Sequence, residues 1–298
     1  MYRLLTENNN AVPLVSGNGH GVVNFSMLRS LDAPVSFEGI SIKYVYAGAE
    51  DYIVNGRKFK VSKGEYLLGN SFSEGTAKIE SRELVKGTCI NLKPGILSEV
   101  LAAYKYPDGE QPDPELNNYF TSAAFFENKY EAEQTRLGRF LLSVAKNLDE
   151  DPTFQHQFMD SFFYQLAENI ILDSRVVAGQ LKSIHAIRAV TRKELYRKTL
   201  RGKAFIDHHF CAALDIKLIA REANLSEYHF FRLFKSVFKV TPYQYIISRR
   251  LELARQLIEK KEHRLTEIAE ITGFSDIQNF SKAYKNKFGF APSRLVSE

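Results

Sequence analysis

Two short stretches in the last third of the chain carry groups suited to the edges of nucleic-acid bases. The first holds Tyr228, Phe231, Arg232 and Lys235, and the second holds Gln278, Ser281, Lys282 and Lys285. Arg and Lys complement guanine edges, Gln complements adenine, and either cation pairs with phosphate. In the first stretch Phe230, Leu233, Phe234 and Val237 stand at i, i+3, i+4 and i+7, so the same helix has an apolar face on its other side. Phe230, Phe234 and Phe238 read as core. Phe231 has two readings: it packs against its own helix, or it touches a thymine methyl.

The elements that position these residues form an internal repeat. Leu218-Ile219-Ala220 through Leu225-Ser226 aligns with Glu267-Ile268-Ala269 through Phe274-Ser275 at an offset of 49. Beyond the serine the offset is 50: Phe230 to Lys235 lies against Phe280 to Lys285, Phe238 against Phe288, and Pro242 against Pro292. Each copy reads as helix, tight turn, helix. Asn224 and Gly273 sit at the turns, where positive φ is expected. Ser226 and Ser275 are expected to cap the second helices, Ser275 in a capping box with Gln278, and both are counted with the DNA-facing residues. Thr241-Pro242-Tyr243-Gln244 is a further capping box. It opens a helix to about Lys260 with Leu251, Ala254, Leu257 and Ile258 as its buried stripe. Some 20 residues span roughly 30 Å, close to one DNA turn of ~34 Å. Two such second helices can therefore enter successive major grooves.

These residues resemble the AraC/XylS family of transcription regulators. The resemblance covers about Ala204 to Ser297. It rests on the paired motifs, on Arg249-Arg250-Leu251-Glu252-Leu253-Ala254-Arg255-Gln256-Leu257-Ile258, and on Ile268-Ala269 to Gly273-Phe274 with Phe280 to Phe288-Gly289-Phe290-Ala291-Pro292. It implies a seven-helix DNA-binding domain, with base or backbone contacts at Tyr228, Phe231, Arg232, Gln278, Ser281 and Lys282. Tyr228 and Phe231 are large aromatics where the family also uses polar residues, so base preference does not transfer. In many members an N-terminal cupin-like barrel senses a small molecule and adjacent helices dimerise the chain. Residues 22–92 and the helices after them look like that arrangement in pattern, best over Val61 to Asn70.

Charge divides the chain in the same place. Residues 1–179 hold 17 Lys+Arg and 23 Asp+Glu, while residues 180–298 hold 23 and 12, so the parts carry −6 and +11 within a net +5. A basic third on an acidic remainder suggests a polyanion-binding module joined to something else. With 298 residues, two or more domains are expected.

The acidic part begins as short strands. Ile42, Tyr44 and Tyr46 alternate with Lys43 and Val45. Tyr52-Ile53-Val54 and Arg57 to Val61 flank Asn55-Gly56, a type I′ hairpin signal. Ser62-Lys63-Gly64 turns into Glu65 to Leu68. This spacing predicts a small antiparallel barrel or jelly roll. After Pro94 the period changes, and helices are expected over 115–129, 131–148 and 154–173, with Asp151-Pro152 breaking the last two apart. A basic helical stretch from Gln180 to Lys203 is expected to link the halves.

The residue inventory argues against an enzyme. The histidines are 20, 156, 185, 208, 209, 229 and 263, so the barrel region holds no His-x-His ligand pair, and no metal, cofactor or catalytic residue is assigned. Cys89 and Cys211 lack disulfide-framework or zinc-site spacing, and Cys89 reads as a small buried strand residue rather than a nucleophile. Tyr44, Tyr46 and Tyr66 either line an effector pocket or fill the barrel core. No apolar run reaches membrane-spanning length and the start lacks a signal-peptide pattern, so a cytoplasmic location is expected.

The expected architecture is α+β: a cupin-like effector and dimerisation domain over 1–179 (barrel about 22–92, helices about 96–179), a helical linker over 180–200 and a double helix-turn-helix domain over 201–298. The expected partners are double-stranded DNA, a second copy of the chain, a small-molecule effector and RNA polymerase. Two alternatives stay open: a barrel without an effector that dimerises or binds proteins, and a helical module that recruits an acidic protein instead of DNA.

Overall fold

The computed structural model describes residues 2–6, 19–103, 114–150 and 160–296. The chain divides into two compact units, Met1–Gly179 and Gln180–Glu298.

Among the described residues the first unit is built on eight strands: β1 (Tyr2–Thr6), β2 (Gly21–Ser36), β3 (Ile40–Ala47), β4 (Ala49–Val54), β5 (Arg57–Ser62), β6 (Glu65–Asn70), β7 (Glu74–Leu92) and β8 (Asn128–Glu131). They run in the order β1-β2-β7-β3-β6-β8, with β4 pairing both β5 and β7. The long β7 organises the sheet. It pairs with β2 along most of its length, with β3 over Lys86–Leu92 and with β4 over Gly75–Lys78, and the register breaks at Leu28/Ser30 and Val45/Ala47 let it bend. The result is a nearly closed, largely antiparallel barrel, with β1 added parallel to β2. The Asn55-Gly56 hairpin has φ of 49° and 76°, as a type I′ turn requires. Leu28, Val45, Tyr52, Val54, Val61, Leu67, Ile79 and Val85 pack as one buried cluster inside it. Lys43, on the same face of β3 as Val45, and Glu50, on the same face of β4 as Tyr52, are buried there too.

The helical part of this unit departs from the sequence pattern. α1 (Pro94–Ala103) follows the barrel directly, and α2 covers only Pro114–Phe120. The helix expected over 115–129 stops because the Asn70 side-chain amide donates to the carbonyls of Phe120 and Ser122 at 2.9 Å each, turning the chain back to the sheet. Residues 128–131 then join β6 as β8, and Tyr130 stacks on Tyr66 with ring centroids 5.4 Å apart. A 3-10 turn (Ala132–Gln134) leads into α3 (Arg136–Glu150), and α4 runs from Asp160 to Lys182. The break expected at Asp151-Pro152, the helix start expected at 154 and His156 lie outside the described residues.

The second unit is all helical: α5 (Ala189–His209), α6 (Ile216–Glu222), α7 (Glu227–Phe238), α8 (Pro242–Lys260), α9 (Leu265–Ile271), α10 (Ile277–Phe288) and α11 (Ser293–Val296). The basic stretch from Gln180 to Lys203 is not one helix, since α4 ends at Lys182 and α5 begins at Ala189. Its second half is also more than a link: Tyr196, Thr199 and Ile206 are buried, and a Cβ on Gly202 would lie 2.3 Å from the Phe230 ring, so α5 crosses α7 at close range. Two cores follow. Phe230, Phe234, Ile219 and Ile206 centre the first, and Phe280, Tyr284, Ile268 and Leu251 the second, with α8 contributing Ile246 to one and Leu251, Ala254 and Ile258 to the other.

Among the described residues no helix is long and apolar enough to cross a membrane.

Candidate nucleic-acid interface

The repeat becomes two helix-turn-helix motifs, α6–α7 and α9–α10, joined by α8. In the first, Asn224 takes φ of 52° and the Ser226 side chain accepts from the His229 N–H at 3.3 Å, capping α7. In the second, Gly273 takes φ of 82°. Here the cap is Asp276, not Ser275: Asp276 Oδ1 accepts from the Asn279 N–H at 2.6 Å and α10 starts at Ile277. The expected box between Ser275 and Gln278 is therefore absent. The second turn holds one more residue than the first, so Asp276 is the structural counterpart of Ser226. Ser275 instead donates to Asp276 Oδ2 at 2.9 Å. Hydrogen bonds from the Asn279 N–H and from Ser275 hold the Asp276 carboxyl below the usual range.

Each second helix buries one face and exposes the other. Phe230, Phe234 and Val237 of α7 and Phe280 and Tyr284 of α10 are buried. Tyr228 is 67% and Phe231 41% exposed, and Arg232 and Lys235 are exposed beside them. At 41% exposure part of the Phe231 ring is accessible, which is compatible with both readings of that residue. Arg232 Nη1 donates to the Tyr228 hydroxyl at 3.0 Å, one helical turn away, and the guanidinium lies 5.5 Å from that ring's centroid. On α10, Gln278, Lys282 and Lys285 are exposed and Ser281 is half-buried.

α8 holds the two motifs in register. Its capping box is complete, with the Gln244 N–H donating to Thr241 Oγ1 at 3.2 Å and the Thr241 N–H donating to Gln244 Oε1 at 2.9 Å. Arg250 donates to the carbonyls of Phe210 and Ala212, which follow α5, and of Gly273 in the second turn, at 2.6, 2.8 and 2.6 Å. Lys287 of α10 reaches back to Glu252 at 2.9 Å and Ser248 Oγ at 2.6 Å. On the other side, Asp207 of α5 accepts from Tyr245 at 2.7 Å and pairs with Arg249 at 3.2 Å. The 19 residues of α8 correspond to about 29 Å of rise.

Sequence pattern did not single out three further groups here. Lys217 and Arg221, one turn apart on α6, line an open groove with Asn224 and Tyr228 beside the first motif. Their i, i+4 spacing is a signal available in the sequence. Arg250 was visible only as part of a family-like run, because its three acceptors are distant in sequence.

In the first unit, Tyr44 and Tyr66 face each other across the β3–β6 ladder. They alternate with Val45 and Leu67 of the barrel interior, which puts them on the outer face of the sheet. Both are buried, and the Tyr44 and Tyr46 rings lie 6.4 Å apart. Tyr66 donates to or accepts from Thr135 Oγ1 at 2.9 Å, and burial pushes its phenol above the ordinary range. Tyr66 alone of the three lines a cavity of about 380 Å³, with Leu68, Tyr130, Arg136, Ile170 and Asp173 among its walls. Among the described residues no group of three or more His, Cys, Asp or Glu side chains could hold a metal ion.

Residues 219–297 match a family described as a helix-turn-helix domain. Over 90 residues the chain is 34% identical to the "Probable transcriptional regulator LumQ" of Photobacterium leiognathi, which covers 30% of this chain and 36% of that protein. Over 96 residues it is 32% identical to the Msm operon regulatory protein of Streptococcus mutans, covering 32% of this chain and 34% of that one. The chain thus spans about a third of the length of these curated relatives. Among solved structures, a transcriptional regulator of Chromobacterium violaceum with an AraC-type DNA-binding domain is 27% identical over 34% of this chain and 89% of that chain, with a TM-score of 0.32. ToxT of Vibrio cholerae, solved with an unsaturated fatty acid, is 16% identical and covers 95% of this chain and 97% of that chain, with a TM-score of 0.36.

Proposed function

We propose that the C-terminal domain, which matches a helix-turn-helix family over residues 219–297, belongs to the AraC/XylS family and that the chain is a sequence-specific, DNA-binding transcription regulator. The observation that carries this reading is the pair α7 and α10, each with an exposed face of donors and cations, mounted on one helix of about 29 Å. That length suits entry into successive major grooves, ~34 Å apart. Tyr228, Phe231, Arg232 and Lys235 would read or clamp one groove, and Gln278, Ser281, Lys282 and Lys285 the next. Ser226 sits where the first phosphate would approach the start of α7, and Ser275 supports the Asp276 cap. The expected assembly is a cytoplasmic homodimer that engages RNA polymerase at promoters.

The barrel unit is the control element in this reading. The 380 Å³ cavity behind Tyr66 supports a small-molecule effector held outside the barrel. The apolar cluster that fills much of the barrel supports the second reading, in which this unit serves dimerisation or protein partners instead. A thermal-shift screen of the full chain with sugars, aromatic acids and fatty acids separates them, since only the effector reading expects a compound that raises Tm and loses its effect in Tyr66→Ala.

Gel-shift titration of promoter fragments tests the DNA reading. Arg232→Ala with Lys282→Ala is expected to weaken binding about a hundredfold and flatten its salt dependence, because phosphate-paired cations release counterions. Binding left intact in the double variant overturns the assigned faces.

A further inference from the structure

Lys43 and Cys89 stand directly opposite each other on β3 and β7. The Lys43 Nζ lies 2.7 Å from the Cys89 Sγ. Nitrogen and sulfur in non-bonded contact stay about 3.3–3.5 Å apart, so this separation is shorter than packing gives. One oxygen between them, on single N–O and S–O bonds at a near-tetrahedral angle, spans roughly 2.5–2.6 Å, close to the separation seen.

The surroundings fit oxidation chemistry. Lys43 is 7% exposed, and its ammonium lies 5.2 Å from the centroid of the Phe37 ring. Glu50, also buried, is the charge that faces Lys43, and it is hydrogen-bonded by Tyr52 and Ser26. Burial raises the Glu50 carboxyl above its ordinary range, while the hydrogen bonds from Tyr52 and Ser26 and the charge of Lys43 oppose that shift. On the other flank Asn24 pairs with Cys89 across the β2–β7 ladder. Asn24 is buried and its Oδ1 has no hydrogen-bond partner. An unpaired acceptor beside the sulfur suits the O–H of a sulfenic acid or the N–H of a bridged amine.

We propose that Lys43 and Cys89 are a covalent modification site, joined by an N–O–S bridge when the protein meets hydrogen peroxide. In the first step the thiol attacks peroxide: the S–O bond forms, the O–O bond breaks, water leaves, and sulfur is oxidised by two electrons to the sulfenic acid. Lys43 passes its ammonium proton to Glu50. A second peroxide then takes two electrons and two hydrogens, one from the amine and one from the sulfenic hydroxyl. The N–O bond forms and that peroxide becomes two waters. One thiol, one amine and two peroxides thus give the bridge and three waters. The bridge removes the Lys43 charge from the barrel interior and ties β3 to β7 covalently.

The test uses the full chain carrying Cys211→Ser, which leaves Cys89 as its single thiol. Titration with hydrogen peroxide is expected to add about 14 Da to the intact mass, one oxygen gained and two hydrogens lost, and dithiothreitol is expected to reverse it. A tryptic map is expected to lack cleavage after Lys43 and to show its peptide joined to the one holding Cys89. Lys43→Arg and Cys89→Ser are each expected to abolish the product. Gains of about 16 or 32 Da with a free Lys43 peptide mean plain thiol oxidation, and a loss of about 2 Da means a direct S–N bond. Either result, an unchanged mass, or a 14 Da product that survives in Lys43→Arg overturns the proposal. The mass measurement on the chain with Lys43 and Cys89 intact decides the matter even where a variant folds poorly, and no outcome depends on DNA binding.

Discussion

Arg250 of α8 donates through Nη1 to the carbonyl of Gly273, 2.6 Å away in the turn of the second motif. The same guanidinium grips the end of α5 through Phe210 and Ala212. One planar group with several fixed donors therefore sets the second turn against the segment that leads from α5 into the first motif. It is a positioning residue, since the exposed faces of α7 and α10 lie elsewhere.

Arg250→Ala is expected to destabilise the chain by about 2–4 kcal/mol, because three charge-assisted bonds, two of them partly buried, are lost together. Arg250→Lys keeps the charge but cannot span three carbonyls, so it is expected to recover less than half of that loss. Calorimetry of the full chain measures the stability. Gel shifts on operators with altered half-site spacing are expected to show relaxed spacing preference in both variants.

Gly273→Ala is expected to be more damaging than Asn224→Ala, although the two positions are equivalent in the repeat. Both have left-handed backbone, but a Cβ at Gly273 would lie 2.3 Å from the Cys211 carbonyl oxygen. Asn224→Ala is expected to cost about 1 kcal/mol, and Asn224→Gly a few tenths or less. Urea midpoints of the three variants check the order.

Asp276→Ala is expected to lower Tm by a few degrees, while Ser275→Ala has a smaller effect. The Asp276 carboxyl is depressed in the folded state, so its stabilisation is present above the unfolded carboxylate pKa and is lost as pH falls through the folded value. The difference in Tm between wild type and Asp276→Ala is therefore expected to shrink on acidification below about pH 4. A difference that stays constant down to pH 2 would exclude the ionised cap.

Gln278→Ala is expected to relax base preference at one position of the operator, by about 1–3 kcal/mol of discrimination, with little change in the salt slope. Lys285→Ala is expected to do the reverse, weakening all sequences alike. Binding to a randomised operator pool at two salt concentrations distinguishes these outcomes.

Much of the architecture was legible because it is written in local patterns. The hairpin at Asn55-Gly56, the α8 box at Thr241 and Gln244, and the turns at Asn224 and Gly273 all depend on residues within a few positions of each other. The helix expected over 115–129 failed for the opposite reason. Its end is set by Asn70, some 50 residues upstream, and its last part is drawn into the sheet beside β6. Ser275 does not cap α10 because the second turn carries one more residue than its counterpart, which moves the cap to Asp276.

By itself the sequence determined the paired motifs, the helix that spaces them, the basic charge of their unit and the strand pattern ahead of them. Periodicity, turn chemistry and capping act over short distances and leave their mark in residue order. Only the tertiary structure decided which groups far apart in the chain meet: Arg250 with Gly273, Tyr66 with Thr135, and Lys43 with Cys89. From sequence Cys89 reads as a small buried strand residue rather than a nucleophile, because no histidine lies near it in the chain. Its neighbour across the ladder is a buried lysine, placed there by strand register, which a separation of 46 positions in sequence does not announce.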